Sequence, residues 1–456
     1  MDMPQTLRDA VEARAAEYDA LALDIWEHPE KSGEEKRSSA IHRDRLASRG
    51  FKVREFPEMA HSFSAEKGSG RPVIAFMGEY DALPGMSQAC ATTQVARESG
   101  AAGHACGHNL LGVGSLAAAE TLAEALEARG LPGTVRYYGC PAEEALGRIP
   151  QVKAGRFDDA DAALTWHPAD VNTPHRYTTS ANIAMIFRFR GRASHAGMAP
   201  HAGRSALDGA QLFNIGLEFL REHVERGTLI HYIISDGGSR PNIVPEHAAT
   251  TLYLRAPTAE SLRLVTARVI KAARGAAMMS ETKAAWEITH GKCDFIPNDA
   301  IHDRMAAVMR SLPLPVPTAA ELEFAKALAA TVAKRDRAAT LTPIGAPVDL
   351  LRRAVHGEVG DFGAGYRIGG SLDTGDVSYV VPTAQLNAAT WPLGIGAHTW
   401  QSCAASGSTL AFRHMRWAAA ALAATGFALA TEPELLAAAR AEHKAKARPY
   451  KSTMDL

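Results

Sequence analysis

Apolar residues recur at helical spacing from the first turn of the chain, at Leu7, Val11, Ala15, Tyr18 and Leu21 to Leu23, and predict an opening helix. Residues 72–78 (PVIAFMG) form a short unbroken apolar run, as in a strand buried on both faces. That run stops at Glu79, Tyr80 and Asp81, and Pro84-Gly85 marks the loop that follows. Residues 112–129 are rich in Ala and Leu at helical spacing and end at Gly130. A second strand, 134–140 (TVRYYGC), runs into Pro141-Ala142-Glu143-Glu144, and a third, 160–166, runs into His167-Pro168. Three strands thus end in acidic or histidine side chains. In an open α/β sheet, ligands sit in the crevice beyond the carboxyl ends of the strands.

From about residue 181 the texture changes. Residues 183–190 (IAMIFRFR) partly alternate, as a half-exposed antiparallel strand does, and 229–235 and 248–256 are similar. Residues 206–221 and 261–277 predict amphipathic helices. The expected plan is a catalytic domain made of residues 1–180 and 291–456, interrupted by a smaller α+β domain at 181–290. An Ala-rich helix over 415–430 should close the large core, and the basic tail at 440–451 is expected to be a solvated end.

A chain of 456 residues exceeds one ordinary core, which agrees with two domains. Hydrophobic residues at 46% and charged residues at 22% fit a soluble globular protein. With 49 basic and 50 acidic residues, nothing favours nucleic acid or an anionic membrane as a partner. The charged N-terminal stretch lacks the apolar core of a signal peptide, and no window reaches the roughly 18 apolar residues of a membrane span. Five scattered cysteines suit a reducing compartment, so a cytoplasmic location is expected.

The chemistry concentrates in Cys106 and His108 of GHACGHN, Glu143-Glu144, His167 and His398. A thiolate, imidazoles and a carboxylate are the donors that a borderline divalent metal selects. Each is weak alone: a lone histidine is more often structural, and a lone Glu-Glu pair usually opens a solvated helix. A small structural zinc site would need a second CxxC or HxxxH half, which is missing nearby. Together, at successive strand ends, they favour a metal site. A metal hydrolase also needs a proton shuttle that is not a ligand, and here Glu144 can bind while Glu143 faces the water.

GEYDALPG at 78–85, GHACGHN at 103–109, PAEE at 141–144, WHP at 166–168, SHAGMAPH at 194–201 and GIGAHTW at 394–400 occur in an order that resembles metallo-aminoacylases and carboxypeptidase-G-like peptidases. Within the amino acid amidohydrolase branch, GEYDALPG, SLDTGDVSYVVPT and AHTWQ are most similar to the aminobenzoyl-glutamate hydrolase B-subunit group and its dipeptidase relatives. The resemblance implies a doubly wound, mostly parallel-sheet catalytic domain with an inserted ferredoxin-like domain that serves as lid and homodimer contact. It implies two divalent ions, manganese or zinc, with a mononuclear site as the alternative. Cys106 would bridge them, with His108, Glu144, His167 and His398 as further ligands and Asp81 orienting one of these from behind. Glu143 would be the general base and then the acid. In the inserted domain, His195 matches the histidine that stabilises the oxyanion, and Asn242 and Arg255 match substrate contacts. Two departures stand out: Glu79 where many relatives have a ligating histidine or an aspartate, and Asn109 where the branch more often has Asp.

The expected activity is hydrolysis of the amide of an N-acyl or N-aroyl amino acid, or of a dipeptide. A hydrolytic deaminase of an aromatic or heterocyclic amine could use the same metal site, and would release ammonia without an amino acid. A non-catalytic, metal-stabilised scaffold would have no use for the non-ligand Glu143.

Overall fold

In the computed structural model, which describes residues 2–456, the chain divides into two compact units. The larger comprises Met1–Thr178, Ile296–Arg367 and Val377–Pro449; the smaller comprises Thr179–Phe295, Ile368–Asp376 and Tyr450–Leu456.

The larger unit is built on a seven-stranded sheet. Across it the strands run Lys52–Glu55, Phe63–Ser69, Gly133–Cys140, Val73–Glu79, Ala162–Ala169, Thr383–Ala389 and Thr173–Pro174. The four from Gly133–Cys140 to Thr383–Ala389 are mutually parallel, and antiparallel strands flank them on both sides. The Val73–Glu79 strand is buried at every position, which explains its unbroken apolar run. His167 lies inside its strand rather than past the end: Trp166, His167 and Pro168 stay in parallel register with Leu386, Asn387 and Ala388.

Two helices buried along most of their length, His108–Glu127 and Thr409–Thr431, contribute much of the core. Both are apolar nearly all round, as a helix sealed inside a domain must be. The one acid buried deep in the first, Glu120, accepts from Tyr18 Oη at 2.9 Å and from Arg45 Nε at 2.7 Å, so its charge is compensated. This helix begins four residues before the start expected at 112. Gly107, at φ 77°, turns the chain into it, and a Cβ there would meet Pro168 at 2.9 Å. Gly112 lets the helix lie against the Val73–Glu79 strand, because a Cβ would come within 2.5 Å of the Glu79 carbonyl oxygen.

The opening amphipathic segment is two helices, Met3–Glu12 and Ala15–Glu27. At the break, Arg14 reaches across to Glu124 at 2.7 Å. The basic tail at 440–451 is exposed or half-buried along its length, as expected of a solvated end, though it is anchored at both ends. Arg440 pairs with Asp161, Tyr450 Oη donates to Asp376 at 2.9 Å, and Ser452 and Thr453 are buried.

The smaller unit is a four-stranded antiparallel sheet in the order Lys283–Lys292, Ala181–Arg190, His247–Ala256, Leu229–Asp236. Helices Ala206–Leu220 and Ala259–Met279 pack on it, which makes the chain order βαββαβ, a ferredoxin-like arrangement. The alternating burial of His247–Ala256 is the period-two pattern of a sheet covered on one face.

Candidate metal centre

Glu79 closes its strand at the carboxyl edge of the larger sheet, and Asp81 follows two residues later. Asp81 is buried and accepts three hydrogen bonds: from His108 Nδ1 at 2.8 Å, Ser32 Oγ at 2.7 Å and the Glu144 backbone N–H at 2.9 Å. Burial works to raise its pKa, but the charge of His108 and the hydrogen bond from it hold the carboxyl below its usual range. The bond to Asp81 fixes the proton of neutral His108 on Nδ1 and leaves the Nε2 lone pair for a metal.

His167 is oriented in the same way. Its Nδ1 donates to its own Pro168 carbonyl at 2.7 Å, and its Nε2 lies 3.6 Å from Cys106 Sγ. Burial alone would raise the Cys106 thiol, but the charges of His108 and His167, and hydrogen bonds with both, draw it well below its ordinary value. Burial would lower His167, yet Cys106 outweighs it and holds the ring up at about 9.

His398 arrives from a separate loop. Its backbone N–H donates to Ala105 O at 2.9 Å, an oxygen that also accepts from Ser402 Oγ at 2.7 Å. Its Nε2 stands 3.0 Å from Glu144 Oε1. Burial, with the Cys106 charge next, pushes Glu144 up to about 7, while hydrogen bonds to Cys106 and Glu144 raise His398 to about 10. His398 and Ala142 are two of the four non-glycine residues with positive φ among those described, at 62° and 55°. Such backbone is uncommon and clusters where surroundings hold a functional side chain in place.

Three donor groups emerge whose ligating atoms lie within 4.8 Å of one another: Cys106, His108 and His167; Cys106, Glu144 and His398; Glu79, His108 and Glu143. These residues fit a divalent metal on chemical grounds. His108 Nε2 is buried facing Cys106 and the Glu79 carboxylate, and a pocket this rich in thiolate and carboxylate calls for a compensating cation.

The M20 peptidase dimerisation domain matches residues 177–278. The B-subunit of p-aminobenzoyl-glutamate hydrolase from Escherichia coli is 38% identical over 450 residues, spanning 96% of this chain and 94% of that protein. The chain belongs to the M20 peptidase family. Like other M20 members, it is a metal-dependent hydrolase of amide bonds. The Xaa-Arg dipeptidase of Mus musculus is 28% identical over 455 residues, 96% of this chain and 91% of that enzyme. A dinuclear metal-binding M20 peptidase from Bacillus subtilis has the same fold, with a TM-score of 0.58 at 17% identity over 92% of this chain and 99% of that one.

Among M20 features, three candidates lie in the smaller unit. Gly197 and Met198 each donate a backbone N–H to His195 Nδ1 at 3.2 Å. With Nδ1 accepting, the neutral ring carries its proton on Nε2. His195 forms a β-bridge with Ile243, and Ala196 N–H donates to Asn242 O at 3.0 Å, so the two motifs that hold His195 and Asn242 are joined. Arg255 is already engaged: Nη1 donates to Gly369 O at 2.8 Å and Ser371 Oγ at 3.1 Å, and the guanidinium lies 5.1 Å over the Tyr253 ring.

His104 and Asn109, despite their motif, point elsewhere. His104 Nε2 bonds Ile25 O at 3.1 Å, and burial drives its pKa down to about 3. Asn109 Nδ2 donates to Ala22 O at 3.2 Å and Ser406 O at 3.1 Å, which ties helices together. Glu79 pairs with the fully buried Arg148 while its other oxygen lies 3.2 Å from His108 Nε2. Sequence reasoning passed over Arg148, Ser32 and Glu35. The last is fully buried, and its Oε1 accepts the Ala142 N–H at 2.7 Å. The available signal was the cluster Pro29-Glu30-Lys31-Ser32-Gly33-Glu34-Glu35, a polar run between two helices that looks like a solvated helix start.

Proposed function

We propose that the protein hydrolyses the amide of an N-acyl or N-aroyl amino acid, aminobenzoyl-glutamate being the first compound to try, or of a dipeptide. The observation that carries this is the sharing of Cys106 by two donor triads next to a carboxylate, Glu143, that neither triad needs. That sharing supports two divalent ions, manganese or zinc, which Cys106, His108, Glu144, His167 and His398 would hold. Such ions, when bound, acidify a water and polarise the scissile carbonyl.

The protein's own residues do the rest. Glu143 takes a proton from water as its oxygen attacks the carbonyl carbon, then returns that proton to the amide nitrogen as the C–N bond breaks. The products are a carboxylic acid and an amine. His195 presents Nε2–H to the oxygen that becomes negative. Asp81 holds His108 in its ligating tautomer. Asn242 and Arg255, the latter fixed by Gly369 and Ser371, are the donors for the substrate carboxylate.

Incubation of manganese- or zinc-loaded protein with aminobenzoyl-glutamate, N-acyl amino acids, dipeptides and aryl amines tests the proposal. Release of a free amino acid is expected. Ammonia without an amino acid would make the enzyme a deaminase instead.

The same proposal includes a homodimer through the smaller unit. Its edge strand Leu229–Asp236 exposes Ile233 and Ile234, and the helix Ala206–Leu220 exposes Ile215 and Phe219 one turn apart. An open edge with apolar side chains is a template for a second copy of itself. Ile233→Lys should lower the mass seen by light scattering from dimer to monomer. An unchanged mass would place the interface elsewhere. No helix among the described residues is long and apolar enough to cross a membrane. A cytoplasmic location is proposed because Cys106 serves as a ligand only while reduced.

A further inference from the structure

Glu143 sits on a short turn between Cys140 and Arg148, a segment with no regular ladder to hold it. Its backbone is nonetheless fixed on both sides. The preceding peptide N–H, that of Ala142, donates to Glu35 Oε1 at 2.7 Å, and the following one, that of Glu144, donates to Asp81 Oδ2 at 2.9 Å. Two buried carboxylates thus grip the backbone on either side of the proton carrier. Both grips lead back to one stretch of chain: Ser32 Oγ donates to Asp81 Oδ2 at 2.7 Å, and Glu35 lies three residues later at the start of the Lys36–Ser48 helix.

We propose that Glu35 is a positioning residue for Glu143, clamping the Ala142 N–H so that the Glu143 carboxylate is aimed at water while Asp81 holds the Glu144 side of the turn. Ala142 needs such a clamp, because its φ of 55° is strained in a residue with a Cβ and persists only where neighbours over-determine it. Glu35 is not there to satisfy itself. It is fully buried, yet its Oε2 has no hydrogen-bond partner, which makes the carboxyl a poor contributor to stability. Gly33 and its own backbone hydrogen-bond it locally, and the bond that reaches a distant part of the chain is the one from Ala142.

The inference rests on Glu143 being the proton carrier, and the experiment separates the two. Glu35→Ala should lower kcat about 10- to 100-fold, the range for losing an orienting partner, with KM and metal content by elemental analysis close to the unsubstituted enzyme. Glu35→Gln keeps an oxygen for the Ala142 N–H and should recover kcat to within a few-fold. Hydrogen exchange over residues 141–145 should quicken in Glu35→Ala and not in Glu35→Gln. In a Glu143→Gln background, Glu35→Ala should cost no further kcat, since the two act as one unit. Unchanged kcat in Glu35→Ala, loss of metal in step with activity, or failure of Glu35→Gln to rescue would each overturn the clamp. Full activity of Glu143→Gln would instead remove the mechanism, leaving the exchange measurement to report on the Ala142 bond by itself.

Discussion

Glu143→Gln should retain its metal and lose about three orders of magnitude in kcat. Glutamine has the size and shape of glutamate but cannot accept the proton that water releases. General acid–base catalysis by one positioned group is worth about 10²–10⁴-fold. Here one carboxylate serves both proton transfers, so the loss should fall in the upper part of that range. Metal should stay because the two triads that contain Cys106 do not include Glu143. The adjacent substitution makes the contrast. Glu144 shares a triad with Cys106 and His398, so Glu144→Gln should release metal as it loses activity. Elemental analysis beside steady-state kinetics checks both. A metal-loaded Glu143→Gln enzyme with near-normal turnover would end the assignment. His195→Ala gives a third profile: metal retained and kcat reduced about 10²- to 10³-fold, as for loss of one oxyanion donor. If His195→Ala changed only KM, the ring would be a binding contact.

The fold could be read from periodicity because its two kinds of layer repeat differently. Buried parallel strands such as Val73–Glu79 give continuous apolar runs, and the half-covered strands of the smaller unit give alternation, as in His247–Ala256. What periodicity could not supply was where each element stops. His167 looked like a residue past a strand end, but its strand is prolonged by register with Asn387, a partner that local sequence does not reveal. The helix that carries His108 starts at a glycine turn, ahead of the start expected at 112.

The same limit applies within the site. Cysteine and histidines in short motifs announce themselves by residue type, whereas their supports are ordinary residues brought from far away. Arg148 meets Glu79 across 69 positions, and Glu35 meets Ala142 across 107. Neither has a local signature, because a buried charge and a solvated one are spelled with the same letters. Arg255 shows the converse: its motif suggests a ligand contact, and its hydrogen bonds to Gly369 and Ser371 appear only in three dimensions.

Cys106→Ala should abolish activity and cut metal binding at both positions together. The sulfur is the one donor common to the His108–His167 triad and the Glu144–His398 triad. A methyl group in its place offers no lone pair and no charge, and leaves each triad with only two donors. Two neutral imidazoles, or one imidazole and one carboxylate, hold a divalent ion far less tightly than a set that includes thiolate. His398→Ala removes a donor from one triad only, so it should lower the stoichiometry without emptying the site. Titration of chelator-stripped proteins with zinc or manganese, read by calorimetry and elemental analysis, separates these patterns. The expected order of metal retained is unsubstituted enzyme, then His398→Ala, then Cys106→Ala. The folded state should survive both substitutions, since the core helices His108–Glu127 and Thr409–Thr431 are packed by alanine and leucine rather than by the ligands. Equal stoichiometry in Cys106→Ala and the unsubstituted enzyme would show that the sulfur does not bridge. The two triads would then be independent sites, and a hydrolysis that draws on both would lose its structural basis.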